Sequence, residues 1–125
     1  MNSTTRCIAV LLGLLADSGV PAATDCTNAT SQSDMNACAA QAYTQADASL
    51  NQTYRQLLQK LPTERQANLR KVQKAWLTYR DLDCGFAAAG YDGGSIQPMV
   101  KSGCLADRTD ARTKQLRNLL DEASR

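Results

Sequence analysis

Residues 75–86 read AWLTYRDLDCGF and combine a tryptophan, two further aromatic rings, an arginine beside acidic residues, and a cysteine. Apolar side chains recur at helical spacing through and before this stretch. The stripe that we expect to be buried is Leu69, Val72, Trp76, Tyr79 and Phe86. The stretch therefore predicts a helix at the centre of the fold, with core and network roles for its side chains rather than catalytic ones.

A longer helix is predicted before this one. Ser31 or Ser33 can cap its start, and Asp34 in the first turn suits the positive end of the helix dipole. Pro62 ends it, and Thr63 with Gln66 has the spacing of a capping box for the next helix. The apolar stripe of the first helix is Met35, Ala39, Ala42, Ala46, Leu50, Leu57 and Leu61, widened by Tyr43 and Tyr54.

A glycine-rich segment follows the second helix. Glycines at 90, 93 and 94 interrupt the helical pattern, and a third helix is predicted to start between Ser95 and Ser102 and to end near Ala123. Its apolar face contains Leu105, Leu116 and Leu119. Strand-like alternation is absent from the sequence, so the pattern predicts an all-α fold, an antiparallel three-helix bundle.

The N-terminus has the pattern of an export signal. Arg6 precedes the apolar run CIAVLLGLLA at 7–16, which is too short to cross a bilayer. Small residues follow, so residues 1–22 are predicted to be a cleaved secretory signal peptide, with cleavage after Ala22 or one residue later. Residues 23–125 are predicted to form a single domain without a membrane span. The charged Asp25 before Cys26 does not suit a lipid-attachment site. The predicted location is the periplasm or the medium.

Four cysteines remain after such cleavage: Cys26, Cys38, Cys84 and Cys104. An even number in a short exported chain predicts two disulfides. The chain has no CxxC motif and no histidine, so no metal site is expected. A turn near Leu61 brings all four cysteines to one end of the bundle. We favour Cys38–Cys84 with Cys26–Cys104, and the local pairing, Cys26–Cys38 with Cys84–Cys104, stays open.

Counting residues from the same turn also predicts a charge pair. Asp47 and Arg112 both fall at the level of Trp76, among apolar positions where a lone charge would be costly to bury. We therefore expect an Asp47–Arg112 salt bridge, and Arg80 beside it paired with Asp81 or a backbone carbonyl. The predicted structural network is Asp47, Trp76, Tyr79, Arg80, Asp81 and Arg112.

Several functional classes lack the residues they need. Without histidine, the usual serine–histidine chemistry is excluded, and Asp81 and Asp83 point in different directions on a helix. The net charge of +2 is close to neutral and gives no case for nucleic-acid binding, which would need a basic face or stripe. No cofactor motif is present. The sequence therefore predicts a non-enzymatic protein without a cofactor.

Three blocks carry a family resemblance. These are MNACAAQAYTQADASLNQTYRQL at 35–57, QKAWLTYRDLDC at 73–84 and GGSIQPMVKSGCLADRTDART at 93–113. They resemble the LprI-type family of small exported bacterial proteins, which is named for a lysozyme inhibitor. The resemblance implies a helical fold with paired cysteines, an envelope location, and non-covalent binding to lysozyme that blocks its action on peptidoglycan. The namesake type is lipid-anchored, and this chain departs from it there.

The loop at 89–98 is the predicted partner-binding element, through Tyr91, Asp92, Gly93, Gly94 and Ser95. The alternative is a plain connection with Ser95 as the helix N-cap. The predicted partner is lysozyme or another envelope protein. An exposed apolar patch away from the loop would indicate such another partner, and an interior cavity would indicate a ligand carrier. The sequence does not specify the oligomeric state.

Overall fold

A computed structural model of the protein describes residues 24–125. This range contains three α-helices and no strands: α1 (Gln32–Lys60), α2 (Thr63–Ala89) and α3 (Gln97–Ala123). Successive helices run in opposite directions, so α1 and α3 are parallel, and this pair forms the most extensive helix contact. The all-α three-helix prediction is confirmed. The predicted signal peptide, 1–22, lies outside the described residues.

Of the two helix caps predicted from the sequence, one is present in the structure and the other is not. The Ser31 hydroxyl accepts a hydrogen bond from the backbone N–H of Asp34 at 3.0 Å, which confirms the first cap. The predicted Thr63–Gln66 capping box is wrong. Thr63 is already helical, the N-cap is Pro62, and the Gln66 side-chain amide donates to the Leu61 carbonyl at 2.9 Å.

The hydrophobic core lies in the half of the bundle near the α1–α2 turn. Its buried centre is a cluster of four leucines, contributed by all three helices. Partly buried apolar side chains, Trp76 among them, pack around this cluster. Burial of these groups is the main favourable term in folding. The four leucines are Leu50, Leu57, Leu69 and Leu116.

The predicted core stripe of α2 is largely wrong. Tyr79 is 57% exposed, Phe86 is 84% exposed and Val72 is 54% exposed. The side of α2 that turns inward instead carries Gln73, Arg80, Cys84 and Ala88. Polar side chains face inward because they form hydrogen bonds there, so hydrophobic periodicity alone selected the wrong face. We call the exposed apolar face the outer stripe: Val72, Ala75, Tyr79, Leu82, Phe86 and Ala89.

The two disulfides are Cys26–Cys38 and Cys84–Cys104, each with Cα atoms 5.5 Å apart. The favoured Cys38–Cys84 and Cys26–Cys104 pairing is therefore wrong, and the local pairing is correct. The reason is that α1 lies mainly against α3, while the buried Cys84 of α2 faces α3. Both disulfides are at the end where α1 and α3 begin, as predicted from the helix lengths.

The length and hydropathy of the described helices show whether any of them could span a membrane. No helix within residues 24–125 combines the length and the apolar character needed to cross a bilayer.

The exposure of the side chains predicts a large loss of stability for one large-to-small substitution and almost none for another. Leu116→Ala should lower the free energy of unfolding by about 2–5 kcal/mol, because it empties a fully buried site. Phe86→Ala should change it by no more than about 0.5 kcal/mol, because the ring packs on little. Urea unfolding at low protein concentration measures both. Comparable losses for the two variants would show that Phe86 is part of the core.

Candidate functional site

The loop between α2 and α3 is held at both ends. The Cys84–Cys104 disulfide joins the helices on either side of it. The side-chain amide of Asn36 on α1 donates to the Ser95 carbonyl at 2.9 Å, and Gln32 on α1 contacts the Met99 sulfur at 3.8 Å. The loop is therefore fixed to all three helices, which lowers the entropy cost of binding a partner with it.

Consecutive turns fold the loop back on itself. The N–H of Tyr91 donates to the Ala88 carbonyl at 3.0 Å, and the N–H of Gly94 donates to the Tyr91 carbonyl at 3.0 Å. Gly93 between them has φ +78°, a left-handed conformation that favours glycine. The Gln97 side-chain amide donates to the Asp92 carboxylate. These contacts give the loop a defined shape despite its glycines.

The predicted loop residues lie together on the surface. All five are exposed, and they include an aromatic ring that is 47% exposed, a carboxylate and a hydroxyl. The alternative prediction, in which Ser95 caps α3, is wrong: the N-cap is Ile96, with no side-chain cap hydrogen bond. The Ser95 hydroxyl is thus not used to start the helix. The exposed polar and aromatic groups are Tyr91, Asp92 and Ser95.

A buried arginine lies at the middle of the bundle. Arg80 is 5% exposed, and its guanidinium contacts Asp81 at 2.9 Å, the Thr109 hydroxyl at 3.3 Å and Asp47 at 3.6 Å. The same group lies 5.4 Å from the ring centres of both Tyr43 and Trp76. These partners come from α1, α2 and α3, so one cation connects all three helices. The arrangement is structural, since its polar atoms are engaged with the protein.

The predicted Asp47–Arg112 salt bridge is wrong. Arg112 instead donates to Gln73 at 3.1 Å and to Gln115 at 3.0 Å, with its guanidinium 5.9 Å from the Trp76 ring centre. Partial burial lowers the pKa of Arg112, because the charged form loses hydration. Neutral amides, rather than the predicted carboxylate, accept the hydrogen bonds of Arg112, and Asp47 pairs with Arg80.

One further ion pair lies near the disulfide-linked end. Arg108 donates to the Asp83 carboxylate at 2.8 Å, which raises the pKa of Arg108 through the hydrogen bond first and the charge second. Asp83 also lies close to the sulfurs of Cys84 and Cys104, a grouping of metal-ligating atom types. Both sulfurs are in a disulfide and the carboxylate is paired, so these atoms do not form a free ligand set.

A groove of about 350 Å³ lies at the opposite end of the bundle, lined by side chains from all three helices. Leu57, Leu69 and Leu119 line it with apolar surface, and Arg65 and Arg112 lie at its polar edge. It is open to solvent rather than an interior cavity, and it is at the small end of ligand-site volumes. This geometry does not favour a ligand carrier.

The outer stripe is a surface feature that the apolar periodicity does not predict, because that periodicity places three of its residues in the core. The most exposed of its large side chains are Leu82, at 70%, and Phe86, at 84%. Contiguous apolar surface on this scale is typical of interaction sites. The polar residues of α2 could have indicated the inward face. Gln73 and Arg80 lie on one face of the helix, and both find their hydrogen-bond partners inside the bundle.

The fold and these surfaces define a class: an all-α protein with two disulfides and an exposed loop that the Cys84–Cys104 bridge and α1 hold in place. Residues 23–116 match the family described as Lysozyme inhibitor LprI. The chain belongs to this family.

Two uncharacterised proteins are similar to this chain. One, from Rhizobium meliloti (strain 1021), is 41% identical over 112 residues, which cover 79% of this chain and 81% of the relative. The other, YecT of Escherichia coli (strain K12), is 30% identical over 123 residues, which cover 82% of this chain and 76% of the relative. No solved structure matches the chain.

The Arg80 contacts predict non-additive effects of two acidic substitutions. Asp47→Ala and Asp81→Ala should each cost no more than about 1 kcal/mol of stability, because the two side chains are 40% and 62% exposed and each variant keeps the other carboxylate. The double variant should cost about 3–5 kcal/mol, since it leaves a buried guanidinium without a carboxylate. Urea unfolding of the four proteins measures this coupling. Simple addition of the single effects would contradict the linked role of the two carboxylates.

Proposed function

We propose that the protein is an exported, non-catalytic inhibitor of lysozyme that acts by non-covalent binding. The observation that carries this proposal is the family match over residues 23–116. The two disulfides support export, because such bonds persist in oxidising compartments such as the periplasm. The non-catalytic part is supported by the family description, which is that of an inhibitor.

The proposed contact element is the loop at 89–98. Its anchoring by the Cys84–Cys104 disulfide and by Asn36 presents Tyr91, Asp92 and Ser95 in one arrangement before a partner arrives. Preorganisation of this kind increases affinity, because little flexibility is lost on binding. Aromatic side chains at the centre of an interface commonly supply a large share of the binding energy, and Tyr91 fits that role here.

The chemistry of a lysozyme cleft suits these groups. Glycoside hydrolysis uses a protonated carboxylic acid and an ionised carboxylate on opposite sides of the bond that is cut. In the proposed complex, Asp92 accepts a hydrogen bond from the acid, and the Ser95 hydroxyl donates one to the carboxylate. Tyr91 packs on the apolar rim where a sugar ring would lie. The cleft is thereby closed to peptidoglycan without any covalent step.

Net charge shapes the kinetics of this proposed complex. The chain carries +2, whereas an inhibitor of a strongly basic lysozyme gains association rate from an acidic face. Long-range attraction is therefore not the source of affinity in this proposal. Contacts at the loop set the dissociation rate instead, and added salt should change inhibition little.

The loop is tested with two double variants. Asp92→Ala/Ser95→Ala should reduce inhibition of a sensitive lysozyme by about tenfold or more, because two central polar contacts are lost. Asp121→Ala/Ser124→Ala makes the same changes at exposed positions at the far end of α3 and should leave inhibition unchanged. The measurement is the rate of cell-wall lysis against inhibitor concentration, with thermal melts to verify folding.

The results separate the loop from the function. Equal potency of the wild type and the loop variant would exclude the loop from the mechanism while keeping the inhibitory function. Absence of inhibition by the wild type, across lysozymes of several types, would exclude lysozyme as the target. The alternative is then an envelope protein–protein interaction module with a different partner.

Export is tested by the N-terminus of the protein recovered from cells. Cleavage after Ala22 should yield a chain that begins at Ala23, because Val20 and Ala22 are the small residues that a signal peptidase reads. N-terminal sequencing or intact mass measures this. A protein that retains residues 1–22 would contradict the proposed signal peptide and the domain bounds drawn from it.

A further inference from the structure

The outer stripe of α2 has a heptad pattern on a face that nothing within residues 24–125 covers. Its members follow one another in alternating steps of three and four residues, the spacing that places side chains along a single seam between two paired helices. All six positions are exposed. On a surface helix of a monomer, the apolar seam normally faces the core. Here the core-facing side is the one with Gln73 and Arg80, so the seam points outward.

We propose that the outer stripe binds the outer stripe of a second copy of this chain, with the two α2 helices antiparallel. A two-fold axis between residues 80 and 81 brings the six positions into three matched layers. Val72 faces Ala89 of the second copy, Ala75 faces Phe86, and Tyr79 faces Leu82. Each contact occurs twice, as a closed two-fold dimer requires.

The sizes of the side chains favour this antiparallel register. Its layers pair the large Phe86 with the small Ala75, so the ring fills the space that the alanine leaves. A parallel pairing would put Phe86 against Phe86 and Ala75 against Ala75, which crowds one layer and leaves a gap in another. Antiparallel helix dipoles also attract one another. The sequence of the stripe is therefore self-complementary in one direction only.

The edges of the stripe do not oppose the pairing. Asp83 lies beside it, and its carboxylate is neutralised by Arg108 at 2.8 Å. Two copies of Asp83 therefore do not bring two unpaired charges to the interface. On the other edge are Thr78 and Lys71, both exposed, and the lysine can extend its ammonium into water while its stem covers apolar surface.

The available area fits a reversible dimer. The exposed side chains of the stripe amount to on the order of 500 Å² per copy, because aromatic side chains alone carry about 150–250 Å² each. Two copies together bury about 1,000 Å², the lower limit for a specific interface. We therefore expect a monomer–dimer equilibrium at micromolar concentrations rather than a permanent dimer.

The first experiment is sedimentation equilibrium of the oxidised, exported protein over a range of concentrations. The average mass should rise toward twice the monomer mass, and Leu82→Glu should raise the dissociation constant by about tenfold or more, because it places a charge at the centre of the interface. Ala48→Glu introduces the same charge at an exposed position of α1, outside the stripe, and should leave the equilibrium unchanged. Neither substitution empties the core, so thermal melts of the dilute monomers should agree with the wild type.

The second experiment tests the register with Val72→Cys and Ala89→Cys, which leave the three large central side chains in place. A mixture of the two variants should form a crosslinked dimer under mild oxidation. Either variant alone should not, because its two new thiols would be about 26 Å apart along the helices. Crosslinking of the single variants would show parallel pairing and overturn the proposed register. A protein that stays monomeric at all concentrations would overturn the dimer. Neither result depends on lysozyme inhibition.

Discussion

The buried guanidinium of Arg80 is the interaction on which the arrangement of the three helices depends. A charge that is 5% exposed must be paired and hydrogen-bonded, or it would destabilise the fold by several kcal/mol. Its partners are Asp47 on α1, Asp81 on its own helix and Thr109 on α3. Because these contacts require specific distances, they fix both the rotation of α2 about its axis and its height against the other helices. Within the described residues, no buried side-chain polar atom lacks a partner.

That rotation has two consequences for the surface. Turning Gln73, Arg80 and Cys84 inward forces the apolar residues on the other side of α2 outward, which creates the outer stripe. It also directs Cys84 toward α3, where it forms the disulfide that fixes the exposed loop. The two surfaces proposed for binding, the loop and the stripe, thus follow from one constraint inside the bundle. The leucine cluster at the other end supplies apolar burial but does not set this rotation.

Features that depend on neighbouring residues could mostly be predicted from the sequence, whereas contacts between distant residues mostly could not. The helices, the Ser31 cap and the glycine-rich break depend on neighbouring residues, and their patterns were readable. The Thr63–Gln66 capping box failed because Pro62 had already taken the cap position. The Asp47–Arg112 pair failed because residue counting gives the level of a side chain along a helix but not its direction around it. Two glutamines satisfy Arg112, and an amide carries no charge that would mark it as a partner in the sequence.

The sequence by itself determined that this protein is all-α, that four cysteines meet at one end, and that the chain resembles the LprI family. Those properties follow from the apolar periodicity, the lengths of the helical segments and the residue types. The tertiary structure decided which cysteines pair, which face of α2 is buried and which apolar residues remain on the surface. The physical reason is that either of two faces of α2, one apolar and one polar, could be buried against the other helices. Hydrophobicity favours burial of the apolar face. The polar face is buried instead, because Arg80 forms its contacts with the neighbouring helices only in that orientation.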